Sequence, residues 1–312
     1  VLHLRLLVPA ALGAAVLELL IGYPAVTDIS VVKGAALEPA GDLIEAEVAR
    51  ETADELIARL KELGLLTSGA LSVSSVDLSV SVSSIRAQAE APGNSADSVI
   101  WEQVEARTGS ESALSGTFLA FLTIAALLAG IGIVRDSPIT VVGAMVVGPE
   151  FGPLAAMSVG LVRRRPGLVR RGAIALAVGF PLAMLVTAGA AWVGERTGLI
   201  SAADLVSNRQ TEFIYEPGVL SLVVALLAGA AGMLSTISGK SAALVGVFIS
   251  VTTVPAAGYA AVAMVLGEWS QVGGSALQLL INLIGIVLAG VATLLIVRRI
   301  DVYRASRRES VG

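Results

Sequence analysis

The chain has no cysteine. Disulfides, thiolate nucleophiles, iron–sulfur clusters and cysteine-ligated zinc are thereby excluded. It has one histidine, His3, which removes zinc sites built on several histidines and most Ser-His-Asp schemes. Charge is also scarce. Charged side chains make up 15% of the 312 residues, against about 25% in an ordinary globular domain. Apolar residues take their place: 55% are hydrophobic and the mean hydropathy is +0.83. A plain soluble enzyme, a disordered chain and a nucleic-acid binder do not fit this balance.

The few charges are unevenly placed. Residues 1–97 hold 13 acidic and 6 basic side chains, and residues 98–312 hold 12 acidic and 15 basic. The first third is therefore an acidic domain of ordinary composition, with no basic face for nucleic-acid phosphates. The remainder is apolar. Six of its segments, 115–134, 138–162, 173–194, 217–237, 241–266 and 272–297, approach or exceed the roughly 20 apolar residues that a membrane-spanning helix needs. Only Glu150 is charged well inside any of them.

Lysine and arginine set the orientation. Arg163, Arg164, Arg165, Arg170 and Arg171 lie between the second and third spans, and Arg298, Arg299, Arg304, Arg307 and Arg308 follow the sixth. Both segments read as cytoplasmic. The loop 195–216, with Glu195, Asp204, Glu212 and Glu216, reads as external. Six spans with both termini in the cytoplasm satisfy every loop. The arginines themselves are explained by topology and anionic lipid headgroups. At the start, Arg5 and the run Leu6–Leu17 have the outline of a signal peptide. Pro9 and Glu18 interrupt it, and a soluble domain fits better.

Within that domain, residues 1–8 alternate as a strand. Leu12, Ala15, Val16, Leu19 and Leu20 repeat at helical spacing up to Gly22. Val26–Lys33 and Asp42–Ala49 read as strands. Thr52 and Glu55 form a capping box for a helix carrying Leu56, Ile57, Leu60 and Leu63. Val76, Leu78, Val80 and Val82 alternate as a last strand. The order β-α-β-β-α-β predicts a ferredoxin-like α+β domain over residues 1–82. A ligand site near Pro9–Gly13 and a plain oligomerisation role are both compatible with it. Residues 83–114 read as a linker followed by an amphipathic, interfacial helix with Asn94 as its cap and Trp101 at headgroup level. Residues 298–312 are a basic tail.

The second and fifth spans resemble each other. Val142–Pro153 and Val245–Pro255 each place small residues before proline in mid-span. The same register puts the first span on the fourth and the third on the sixth. Each half then has an odd number of spans, so the halves insert in opposite orientations, the pattern of inverted-repeat transporters and channels. Gly148, Pro149, Gly152 and Pro153 make a continuous helix improbable, and broken helices in matching places point to a transport site. Glu150 stands at the break, a costly group in mid-membrane and a candidate proton carrier, cation ligand or arginine partner. Its counterpart is Thr253, beside Thr252 and Pro255. Gln278 and Asn282, four apart in the sixth span, line the same cavity or hold helices together.

Ser137-Pro138-Ile139, Val142-Gly143-Ala144-Met145 and Gly148-Pro149-Glu150-Phe151-Gly152-Pro153 resemble the signature of the hydrophobic membrane proteins catalogued as domain of unknown function 389. Val245-Gly246-Val247 with Pro255, the arginine loop and the Gly34-Ala35-Ala36-Leu37 turn are similar too. The family's second half usually carries a Pro-Pro pair, of which Val254-Pro255 keeps one. The resemblance implies a bacterial, actinobacterial-type inner-membrane protein and supplies no substrate.

These features predict an integral membrane transporter or channel for a small solute or ion, with a cytoplasmic regulatory or oligomerisation domain. The alternative is a membrane-anchored sensor whose ferredoxin-like domain binds a small metabolite or nucleotide. No enzymatic activity, cofactor or metal centre is expected. Membrane lipids, further copies of the chain and a small-molecule ligand of the cytoplasmic domain are the expected partners.

Overall fold

A computed structural model describes residues 1–23, 25–76, 99–206, 218–238 and 253–309. The chain divides into two compact units, Val1–Gln103 and Val104–Gly312.

The first unit is a four-stranded antiparallel sheet with helices. Its elements are β1 (Leu2–Pro9), α1 (Gly13–Ile21), β2 (Val26–Leu37), β3 (Ala40–Val48), α2 (Arg50–Glu62), α3 (Leu65–Ser68) and β4 (Ala70–Ser75). The strand order is β2-β3-β1-β4, and each neighbouring pair is antiparallel. It follows that β1 and β2 are parallel with β3 between them, and that β3 and β4 are parallel with β1 between them. This is the split arrangement that the element order predicts. Strand periodicity explains the core. Leu2, Leu4, Leu6 and Val8 are all buried, because alternate side chains of a strand share one face. They cluster with Val16 and Leu20 of α1 and with Ala53, Leu56, Ile57 and Leu60 of α2, the latter at the i, i+3, i+4, i+7 spacing of a helix stripe. Ile100 joins the same core, and the Trp101 N–H donates to Asp54 Oδ1 at 3.2 Å.

Two local expectations change. Helix α2 begins at Arg50 behind Ala49, so Thr52 lies inside its first turn and donates to the Ala49 carbonyl at 3.2 Å. Glu55 pairs with Arg59 at 2.7 Å. No capping box forms. A strand not foreseen lies at Ala70–Ser75, with Leu71 opposite Leu6 and Val73 opposite Leu4. Leu71 and Val73 alternate with serines just as the following run does, so periodicity alone does not separate the two. Of the expected strand, residues 77–82 lie outside the described residues, as do Asn94, Thr252 and the segment 241–252.

The second unit is helical. Helix α4 (Trp101–Glu111) crosses the boundary between the units. It is followed by α5 (Gly116–Val134), α6 (Pro138–Val147), α7 (Phe151–Val162), α8 (Pro166–Arg196), α9 (Ala202–Val206), α10 (Val219–Ser238), α11 (Thr253–Val265) and α12 (Trp269–Glu309). Among the described residues, α5, α8, α10 and residues 269–300 of α12 are long and apolar enough to cross a membrane. Helices α6 and α7, bent by 53° at their junction, are together long and apolar enough for a fifth crossing if the bent pair is counted as one span.

Close contacts fix how these helices run. A methyl group added at Gly179 of α8 would stand 2.8 Å from Phe118 of α5, and one at Gly130 would stand 3.2 Å from Thr187. Positions rise together, so α5 and α8 are parallel. By the same reasoning Gly258 meets Ala126 and Ala129 while Gly130 meets Val262, so α11 is parallel to α5. Helices α10 and α12 are parallel as well, since Ala225 meets Gly285, Gly229 meets Ile286 and Met233 meets Gly290. Residues 266–268 fold α11 back onto α12, and Tyr259 bonds Gln271 across this hairpin at 3.1 Å. Helices α5 and α8 thus run one way, and α10 and α12 the other.

Burial separates the helices into two kinds. The long ones present large apolar side chains outward, such as Phe121, Leu185, Leu227 and Leu288. The short α7 and α11 are enclosed, whereas α6 exposes Ile139, Val142 and Val146. Every residue of 253–263 in α11 is buried, and so are all but Phe151, Met157 and Leu161 in α7. Irregular backbone in a bilayer is tolerated where protein surrounds it. Glu150 at the break between α6 and α7 and the described start of α11 are buried in this way, while Gly148 and Pro149 are half-buried.

Candidate functional site

Helix α6 starts sharply. The Ser137 side chain caps it, accepting from the Thr140 N–H at 3.4 Å, and Pro138 takes the first turn, where a missing N–H costs nothing. Ten residues later it stops. Its length of about 15 Å is half the roughly 30 Å thickness of a bilayer core. The stop follows from the sequence. Pro149 disfavours helical backbone at the residue before it, and Gly148 is extended there, with φ −63° and ψ 127°. Glu150 then caps α7 with no side-chain bond to its own helix, so its carboxylate is turned to another partner.

That partner is Thr253. Its Oγ1 donates to Glu150 Oε1 at 2.6 Å. Glu150 is 1% exposed and Thr253 is fully buried. The two residues lie 103 positions apart; Glu150 precedes the first residue of α7, and Thr253 is the first described residue of α11. A charged side chain at mid-membrane costs about 2.5–3.5 kcal/mol on insertion scales. A hydrogen bond to a charged group returns about 1.5–3 kcal/mol, and a helix N-terminus about 0.3–1 kcal/mol, up to about 2 in buried geometry.

The other candidate residues divide into three groups. Gly148 and Pro149 make the break itself. Gly152, Pro153 and Pro255 are packing and helix-start residues. A methyl group at Gly152 would stand 2.8 Å from the Glu111 carbonyl oxygen, so α4 ends directly on the first turn of α7. Pro153 and Pro255 are each the third residue of their helix, and Pro153 starts a helix rather than breaking one. Gln278 and Asn282 form the third group. Both are buried in α12, and Gln278 Nε2 donates to Asn282 Oδ1 at 3.2 Å.

The sequence reading missed Ser275 and Gln271. Ser275 is fully buried, and Gln271 accepts from the Tyr259 hydroxyl. Their signal was available: 271, 275, 278 and 282 follow helical spacing along one face of α12. Ser158, also missed, sits on α7 and donates to the Leu154 carbonyl at 3.0 Å and the Val287 carbonyl at 3.3 Å, fixing α7 against α12. Near the start of the unit, Glu105 binds Arg163 at 2.7 Å and Arg165 at 3.5 Å, so two of the loop arginines have a protein partner.

In the first unit, a cleft of about 600 Å³ is lined by Glu18, Tyr23, Arg59 and Glu62. The Arg59 guanidinium lies 5.4 Å from the centre of the Tyr23 ring.

A family model described as domain of unknown function (DUF389) matches residues 145–288, just under half of the chain. Residues 145–288 are similar to this family. The matched segment runs from Met145 in α6 to Leu288 in α12. It contains the break, Glu150, Thr253 and the polar face of α12. No curated protein and no solved structure matches the chain.

Proposed function

We propose that the chain is a transporter or channel for a small solute or ion in a bacterial plasma membrane, acting at Glu150 and Thr253. One observation carries the reading: a buried carboxylate at a mid-span break is bonded to a residue 103 positions later, the first described residue of a second enclosed helix. Discontinuous helices at corresponding places in two halves mark binding sites in inverted-repeat transporters. The opposite directions of α5 and α8 against α10 and α12 support such a repeat, with six spans when 241–266 is counted as one. Thr252 and Pro255 belong to the second half-site, and Gln278 and Asn282 to its wall. The arginines of 163–171 and 298–308 favour a topology with both termini cytoplasmic.

The ferredoxin-like domain regulates or assembles the protein. Strand β2 lies at the edge of the sheet and exposes Val31, Val32 and Leu37, a surface suited to another copy of the chain. The cleft beside Tyr23 and Arg59 favours the second reading, in which the domain senses a small metabolite or nucleotide. Lipid is the further partner. A cavity of about 300 Å³ lined by Leu127, Ile131, Val134 and Ile200, with Arg135 at its rim, suits an acyl chain below an anionic headgroup. The reading assigns no enzymatic activity and no cofactor.

The test is flux into liposomes containing the purified full-length protein. A panel of inorganic cations, inorganic anions, amino acids and polyols is compared between wild type and Glu150→Gln. Transport of at least one class, reduced at least tenfold in the variant, is expected. Wild-type liposomes as tight as empty ones to every class overturn the reading. Binding of a nucleotide or metabolite at the Tyr23 cleft without any flux would favour the sensor.

A further inference from the structure

We infer that Glu150 is a proton-carrying group and that protons reach it along the buried polar face of α12. The inference rests on the transport reading and names the ion that the site handles.

The face is continuous. Gln271, Ser275, Gln278 and Asn282 stand about one helical turn apart, successive members separated by about 4.5–6 Å along the axis. Ser275, Gln278 and Asn282 are buried, in a helix whose other faces expose Leu277, Leu280, Ile284 and Leu288. A hydroxyl and two amides are turned inward, away from the exposed leucines, and two of the three residues leave hydrogen-bonding capacity open. Among the described residues, Ser275 Oγ and Gln278 Oε1 have no hydrogen-bond partner. Buried polar atoms of this kind are normally satisfied by protein or by ordered water, and gaps of one turn are spans that single waters bridge.

The face also leads to the right depth. Helices α11 and α12 fold back on each other at residues 266–268. Thr253 lies 12 positions before Val265, about 18 Å along α11, and Asn282 lies 13 positions after Trp269, about 20 Å along α12. Asn282 is therefore level with Thr253, and Thr253 holds the Glu150 carboxylate. At the other end of the face, half-buried Gln271 meets Tyr259 beside the short loop that joins the two helices. The lane runs from that loop to the carboxylate.

Its chemistry suits a proton better than a larger ion. Hydroxyl and amide groups both donate and accept, as proton relay through intervening water requires. No group of three or more His, Cys, Asp or Glu side chains is present among the described residues to hold a metal ion. Beside the four neutral residues of α12, the neutral hydroxyl of Tyr259 bonds Gln271, and the neutral hydroxyl of Thr253 bonds the Glu150 carboxyl. Proton transfer to Glu150 is reversible. The proton enters on one carboxylate oxygen and leaves from it, with no other bond made or broken.

The experiment is difference infrared spectroscopy after a pH jump, on full-length protein in lipid bilayers. It needs no knowledge of the cargo. The expected result is a distinct carboxylic C=O band, set apart from those of the exposed carboxyl groups by its buried surroundings, that appears on acidification, persists in Thr253→Ser and vanishes in Glu150→Gln. Its rate of appearance should fall at least tenfold in Gln278→Leu and severalfold in the milder Ser275→Ala, with both variants eluting as wild type on gel filtration. Absence of the band, or its survival in Glu150→Gln, overturns the proton-carrying role. An unchanged rate in both α12 variants overturns the lane. Either failure leaves the transport reading to the liposome panel, where it stands or falls on flux alone.

Discussion

Gly229 brings α10 onto α12 so closely that a methyl group on its Cα would stand 2.6 Å from the Ile286 carbonyl oxygen and 2.8 Å from the Ile286 Cα. The obstacle is backbone, which cannot rotate aside as a side chain can. Gly229→Ala must therefore push two long helices apart, and overpacking of this kind costs about 1–3 kcal/mol. The expected outcome is a lower thermal midpoint in detergent. Gly189→Ala serves as the control, since nothing lies within 4 Å of its added methyl group. Equal midpoints for the two variants would contradict the α10–α12 contact.

The apolar stripe of the first unit supports a second prediction. Leu4 is fully buried on the central strand β1, and Leu56 and Leu60 on α2 are buried in the same cluster. Removing a leucine side chain from such a core costs about 2–5 kcal/mol. Leu4→Ala should expose the sheet to protease and leave the helical unit's cores, built from other residues, largely intact. Limited proteolysis followed by mass spectrometry checks this. Cleavage should concentrate within residues 1–103 and spare α5 to α8.

Helix starts give a third. Ser115 caps α5 by accepting from the Phe118 N–H at 3.1 Å. Replacing such a cap with alanine costs about 0.5–2 kcal/mol. Ser115→Ala should lower the thermal midpoint, whereas Ser115→Asp should restore it, because aspartate caps equally well and its charge is favoured at a helix N-terminus. A Ser115→Asp variant as unstable as Ser115→Ala would show that the hydroxyl acts some other way.

Much of this architecture is legible in the residues themselves. The order of elements in the first unit follows from the period-two alternation of β1 and β3 and from the helical stripe of α2. The break after α6 follows from Gly148-Pro149. Setting Val142 on Val245 makes Thr253 the counterpart of Glu150, and the hydrogen bond between the two is seen only in the structure. Other features depend on what lies beside a residue. Thr52 and Glu55 have the spacing of a capping box, but Ala49 already precedes the first turn, so that pattern is spent inside the helix. Leu71-Ser72-Val73-Ser74 and Val76-Asp77-Leu78-Ser79 alternate equally well, and it is pairing with β1 that identifies the first as a strand. Pro153 looks like a second helix breaker until Phe151 is seen to open a new helix. Gly152 looks like part of a cavity until Glu111 is found against it. Ser275 is unremarkable in a membrane helix until its burial and its neighbours at 271, 278 and 282 are known.

The hydroxyl of Thr253 bears directly on Glu150, and its two conservative replacements separate hydrogen bonding from packing. Thr253→Val keeps the shape of the side chain and removes the donor. Glu150 Oε1 then loses its 2.6 Å partner in a place where Glu150 is 1% exposed. Leaving a buried polar group unsatisfied costs about 1–3 kcal/mol, more when the group is charged. Thr253→Ser keeps the donor and removes one methyl group, at a cost nearer that of a single buried methylene, about 1 kcal/mol. The two variants should therefore differ in thermal midpoint, with serine the more stable, and the gap should close when Glu150→Gln is added to each. That double-mutant cycle isolates the pair. A gap that persists in the Glu150→Gln background would mean that the Thr253 hydroxyl stabilises something other than the carboxylate. A gap that vanishes, together with a loss of flux in Thr253→Val but not in Thr253→Ser, would tie the contact between the two half-sites to transport itself.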